Sequence, residues 1–102
     1  MNNILFISGQ LGIDPGTSNI PESFEEQANL VFNNIKAILD AAGMGLSNIV
    51  KVSVFLQDLD DFTLLNEIYM RYFSAPYPAR EVVQVLRLPQ NGKIEISVIA
   101  MR

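Results

Sequence analysis

A chain of 102 residues suits one domain, yet 49% of it is hydrophobic and only 18% charged, more apolar surface than so short a chain readily buries alone, which points to a partner chain. With no cysteine and no histidine, disulfides, thiol chemistry, the commonest metal ligand and the commonest general base are excluded, so neither a Ser-His-Asp nor a Cys-His device can be built. A formal charge of -4 disfavours nucleic-acid binding driven by phosphate neutralisation, and no apolar run is long enough to span a bilayer, so a cytoplasmic, soluble protein with no membrane partner is expected.

No repeat, low-complexity tract or linker interrupts the chain, and residues 1–102 read as a single domain. Asn3 to Ser8, NILFIS, is apolar on both faces and predicts a buried strand. Gly12 to Pro21, GIDPGTSNIP, is the one long turn-rich loop. Ser23-x-x-Glu26 is a capping-box pattern. Behind it Phe24, Ala28, Val31, Ile35, Ile38, Leu39 and Ala42 fall on one helical stripe, with Gly43 in the place of a left-handed cap. Ile49 to Leu56, IVKVSVFL, predicts a strand with Val50, Val52, Val54 and Leu56 on one side and Ile49, Lys51, Ser53 and Phe55 on the other. Asp60 or Asp61 is placed to cap a second helix running to about Phe73, its face carrying Phe62, Asn66, Tyr69 and Phe73. Arg80 to Leu88 and Lys93 to Met101 read as two strands joined in a hairpin at Asn91-Gly92, with Pro89 just outside the ladder.

The order strand, helix, strand, helix, strand, strand predicts an α+β fold, a mixed sheet with two helices packed on one face. The bare face would carry some of Ser8, Lys51, Ser53, Arg80, Val82, Gln84, Glu95, Ser97 and Ile99, and such a half-apolar surface is best explained by oligomerisation. Within PYPAREVVQV, Pro76 to Val85, an arginine enters what reads as a buried strand. That is costly unless an anion meets it, either a carboxylate of the fold such as Glu95 or a ligand.

Taken together, SGQLGIDP (Ser8 to Pro15), EEQANLVFNNIKAILDAAG (Glu25 to Gly43), VKVSVFLQDLDDFTLLNEIY (Val50 to Tyr69), YPAREVVQVLRLP (Tyr77 to Pro89) and KIEISVIA (Lys93 to Ala100) resemble the RidA/YjgF family of enamine/imine deaminases, in order and over almost the whole chain. The resemblance implies a chorismate-mutase-like α+β fold and a homotrimer with its active sites in the clefts between subunits. It also implies a further strand upstream, with a GPYSQ-like segment whose tyrosine lines the site; this chain begins at the following strand, so an edge is expected to lie open.

The reaction implied is hydrolysis of reactive 2-imino acids, such as that from 2-aminoacrylate, to 2-keto acids and ammonia, with no cofactor and no metal. Arg80 would grip the substrate carboxylate, since a planar guanidinium donates two parallel hydrogen bonds to it. Its bland alternative is a structural ion pair. Ser8 and Gly9 match the family's SG pair in the pocket, against the alternative of a strand end with a turn glycine. Asn66 matches an asparagine facing the cleft, or else satisfies a loop carbonyl; Tyr77 caps the cleft or packs as a surface turn aromatic. The stripe of Phe62, Tyr69 and Phe73 reads as core. Val82 stands where the family often has cysteine, and Ser97 stands at the position matching the glutamate that handles the attacking water. A serine can hydrogen-bond that water but cannot act as a carboxylate base at neutral pH; Glu95, two residues earlier and on the same strand face, is the candidate substitute, a role the resemblance does not itself assign to it. The competing readings are a trimeric small-carboxylate-binding or regulatory protein with little turnover, and a ribonuclease or translation inhibitor, against which the acidic balance and lack of histidine count.

Overall fold

The computed structural model describes residues 3–102. Four strands, β1 (Ile4–Leu11), β2 (Ile49–Leu56), β3 (Ala79–Gln84) and β4 (Ile94–Met101), form one mixed sheet in the order β1-β4-β2-β3. β4 runs antiparallel to both β1 and β2, while β2 and β3 are parallel neighbours joined through α2 (Phe62–Tyr69). The longer α1 (Phe24–Ala41) connects β1 to β2.

Strict alternation in β4 sets the two faces. Ile94, Ile96, Val98 and Ala100 are buried beneath the helices, and Glu95, Ser97 and Ile99 face the other way. From α1 come Phe24, Ala28, Val31, Phe32, Ile35 and Leu39, and from α2 Leu65, Ile68 and Tyr69. The helices lie together on one face, where Phe32 stacks on Tyr72 at 4.6 Å and meets Tyr69 and Phe73 edge-on. Each such side chain contributes roughly 1.5–3 kcal/mol by leaving water, so one hydrophobic layer accounts for the fold.

The ends of α1 lie where the sequence predicts, although Glu26 reaches back to the Ser23 hydroxyl rather than to its backbone N–H, so the capping box is only half formed. Ser23 Oγ accepts the Glu26 amide at 3.0 Å, and its hydroxyl donates to Glu26 Oε1 at 3.1 Å. At the far end Gly43 (φ 72°) and Met44 close the helix, their backbone N–H groups donating hydrogen bonds to the Asp40 and Leu39 carbonyls respectively.

Several expectations are corrected. The N-terminal strand is not buried on both faces: β1 lies at the sheet edge, Ile7 is buried, and Phe6 on the open face is 73% exposed. In β2 a bulge between Ile49 and Lys51 shifts the phase, so Ile49 is buried and Val50 exposed. Asp61 holds the N-cap position of α2 but its side chain makes no capping hydrogen bond; Asp58 caps the 3-10 turn just before it, accepting from the Asp60 amide, and α2 stops at Tyr69 rather than Phe73.

The terminal hairpin does not form. β3 ends at Gln84, and Asn91-Gly92 sits in a short 3-10 turn where Gln90 and Asn91 adopt positive φ. β4 passes β3 and inserts between β1 and β2 because its wholly buried apolar face needs a neighbour on each side. This moves Arg80 and Val82 off the open face. They pair in register with Val52 and Val54, both buried under the helices, whereas Glu81 and Val83 lie with Ser53 and Phe55 on the open side.

Candidate functional site

Arg80 enters β3 at the sheet edge and turns its side chain toward α2. Its Nη1 donates to Asn66 Oδ1 at 2.8 Å, and its guanidinium carbon lies 4.7 Å from the Tyr69 ring centroid and 5.7 Å from that of Phe62. Asn66 is therefore not satisfying a loop carbonyl; it fixes the fork of the arginine. Among the described residues the ion pairs are Lys51–Glu81 and Arg71–Glu25, so Arg80 has no carboxylate of its own chain. Beside it opens a cleft of about 300 Å³ lined by Asn66, Tyr69, Met70, Tyr77, Pro78 and Arg80. A cation oriented by one amide and two aromatic faces, with the rest of its fork open to a cleft, is suited to holding an anion of the size of a carboxylate.

Tyr69 and Phe73 are buried and stacked at 4.4 Å, as expected of core, but Phe62 is 39% exposed. Burial raises the Tyr69 hydroxyl above the ordinary tyrosine range, and the Arg80 charge partly opposes that shift. Among the described residues the Tyr69 hydroxyl has no hydrogen-bond partner. A buried unpaired hydroxyl costs about 1–3 kcal/mol, so Tyr69→Phe should raise stability by about 1 kcal/mol in urea unfolding. A loss of that size would instead show that the hydroxyl finds a partner in the assembled protein.

The second group of candidate residues gathers elsewhere. β1 is irregular between Ile7 and Gln10, and this places Ser8 and Gly9 beside β4. The Glu95 side chain lies across Gly9 so closely that a Cβ there would stand 2.7 Å from Glu95 Cδ. The absence of a side chain at Gly9 leaves room for the carboxylate that packs on it, and any larger residue there would make Glu95 swing aside. Ser97 lies two residues along the same face, opposite Ser53, whose hydroxyl donates to Glu81 Oε2 at 3.2 Å.

Within one chain these two groups do not meet. β2 separates β3 from β4. Arg80 lies in the row of Val52 and Val98 on the helix side, and Glu95 lies in the row of Phe55 and Val83 on the open side. Two strand spacings of roughly 4.8 Å and three residue rises of roughly 3.3 Å separate the rows. Val82 shares the face of Arg80 and packs against the core, and Tyr77 is half exposed at the cleft rim. Met70, which the sequence reading did not single out, also lines the cleft; it follows the last helical residue, where apolar periodicity carries no signal.

The family model described as Endoribonuclease L-PSP matches residues 1–102. Reactive Intermediate Deaminase A, chloroplastic, of Arabidopsis thaliana is 49% identical over 97% of this chain and 54% of its own length. The crystal structure of RidA from the Antarctic bacterium Psychrobacter sp. PAMC 21119 superposes with a TM-score of 0.96 at 51% identity, covering 98% of this chain and 81% of that one. That of Escherichia coli TdcF with bound serine gives 0.94 at 45%, covering 98% and 81%. A family match from end to end, on a fold shared with relatives about half identical, means that the chain belongs to the Endoribonuclease L-PSP family, that of the RidA/YjgF reactive intermediate deaminases.

Proposed function

We propose that this protein is an enamine/imine deaminase that hydrolyses reactive 2-imino acids, such as that from 2-aminoacrylate, to 2-keto acids and ammonia. The observation that carries the reading is Arg80, oriented by Asn66, facing a cleft and paired with no carboxylate among the described residues. The serine bound to TdcF is a small amino acid carrying the carboxylate such an arginine would recognise.

The active centre is assembled between copies of the chain in a homotrimer, the Arg80–Asn66 side from one and the Ser8–Gly9–Glu95 side from its neighbour. The open sheet face, with Phe6 and Met101 exposed on it, is the surface such an assembly would cover. Arg80 holds the carboxylate. Water adds to the imine carbon, the carbon–nitrogen bond breaks, and ammonia leaves. Glu95 orients the water and takes its proton, because it is a carboxylate, lies against Gly9 and is only partly buried. Ser97 lacks the charge for that task and contributes at most a hydrogen bond.

The test is to generate 2-aminoacrylate with a dehydratase in the presence of semicarbazide, then add the protein. Keto-acid release accelerates at the expense of the semicarbazone. Glu95→Gln lowers the rate by about 10²-fold or more, in the range of a lost general base, while Ser97→Ala changes it less than about threefold. The reverse ranking transfers the water-handling role to Ser97. Absence of acceleration, with 2-oxobutyrate still bound at Arg80, leaves a carboxylate-binding protein without turnover.

A further inference from the structure

Around the guanidinium the cleft is apolar. Apart from Asn66 and Arg80, its walls are Tyr69, Met70, Tyr77 and Pro78. Met70 is 57% exposed and Tyr77 50% exposed, so neither side chain is committed to the core. A volume of about 300 Å³ is more than a three-carbon acid fills; it stands at the lower end of the pockets of about 300–1,000 Å³ that enclose larger organic ligands. A flexible thioether and an aromatic ring flanking a carboxylate clamp gain free energy only when something apolar covers them.

We propose that Met70 and Tyr77 determine substrate choice, and that the site prefers 2-imino acids with branched or aromatic side chains, as from leucine or phenylalanine, over the three-carbon compound. The inference rests on Arg80 holding the carboxylate. With that end fixed on the open part of the guanidinium, the α-carbon lies beside Tyr69 and the side chain extends over Met70 toward Tyr77. The chemistry is unchanged: one water is consumed, the carbon–nitrogen double bond becomes a carbonyl, and one ammonia leaves. One added methylene in an apolar pocket is worth roughly 10–200-fold in discrimination, so the expected preference in kcat/KM is about tenfold or more.

The experiment generates the imino acids of alanine, leucine and phenylalanine with an amino-acid oxidase and catalase, and measures keto-acid release against semicarbazide trapping. In parallel, calorimetry measures binding of pyruvate, 4-methyl-2-oxopentanoate and phenylpyruvate. A preference of about tenfold or more for the larger compounds, lost in Met70→Gln and Tyr77→Ala and kept in Met70→Leu, is the expected result. The exposed position of Met70 makes its variants safe for folding. Equal handling of all three compounds, as when a neighbouring chain fills the cleft, overturns the inference and leaves the deaminase reading intact. A binding preference without turnover upholds it and overturns the deaminase reading. If none of the keto acids binds, both fall.

Discussion

Arg80→Ala is expected to lower keto-acid release by about 100-fold or more and to abolish detectable binding of 2-keto acids, while the protein stays folded. Removing one partner of a desolvated charge pair costs about 2–5 kcal/mol, and each 1.4 kcal/mol is tenfold. The folded state loses less. Arg80 makes one hydrogen bond, to Asn66, and lies over the rings of Tyr69 and Phe62, all on a sheet edge. Those contacts are together worth about 1–2 kcal/mol. Arg80→Lys separates charge from geometry. An ammonium keeps the charge but cannot present parallel donors to a carboxylate while Asn66 holds the same group, so about a tenfold loss is expected. Thermal unfolding measured beside the rates decides the matter. A collapse of stability that tracks the loss of activity would make Arg80 a structural residue, and the binding reading would fail.

How much of this was legible beforehand varies with the kind of force involved. α1 was legible because its signals are local: Ser23 and Glu26 at the start, a stripe at helical spacing, Gly43 at the end. β2 was legible in extent, but its first two residues were assigned to the wrong sides, since a bulge is fixed by pairing with β4 and leaves no trace in alternation. The hairpin failed for a tertiary reason. Asn91-Gly92 is a strong turn signal, and a turn does form there, but which strand lies beside β4 is decided by what buries Ile94, Ile96 and Val98. Phe32 was missed as core because it sits beside the α1 stripe, under the rings of Tyr69, Tyr72 and Phe73 that only folding brings there.

The candidate site divides the same way. Arg80, Asn66, Ser8, Gly9 and Glu95 were named from residue type and resemblance, and two real contacts join them in pairs, Arg80 with Asn66 and Gly9 with Glu95. What could not be read was that Arg80 faces the helices while Glu95 faces away, because that depends on the register of β3 against β2. Gln27 carries no signal in the sequence, where it is one polar residue of the helix among others. It is buried, donates to the Pro21 carbonyl at 2.8 Å and accepts the Lys93 amide at 2.8 Å, so it joins the loop, α1 and the start of β4.

That joint makes Gly12→Ala strongly destabilising, by about 3 kcal/mol or more. Gly12 is buried where β1 runs into the long loop, and a Cβ there would stand 2.6 Å from both Cα and the carbonyl oxygen of Gln27. The obstacle is helix backbone, which cannot swing aside as a side chain does. Relief requires moving α1 off the sheet or the loop off α1. Either motion loosens the two hydrogen bonds of Gln27 and the bond from Asn34 to the Ile13 carbonyl at 2.9 Å. Overpacking of a filled core costs about 1–3 kcal/mol by itself, and each buried group left unpaired adds about 1–3 kcal/mol. Gly45→Ala is the control. Gly45 has extended dihedrals and nothing within 4 Å of a Cβ, so alanine fits and should stabilise by about 0.4–1 kcal/mol through the unfolded chain. Urea unfolding reads both variants as shifts of the midpoint at constant slope. A Gly12→Ala protein within about 1 kcal/mol of its parent would show that the loop is free to move away from α1, and that the packing of β1 onto Gln27 does not hold the β1 end of the sheet in place.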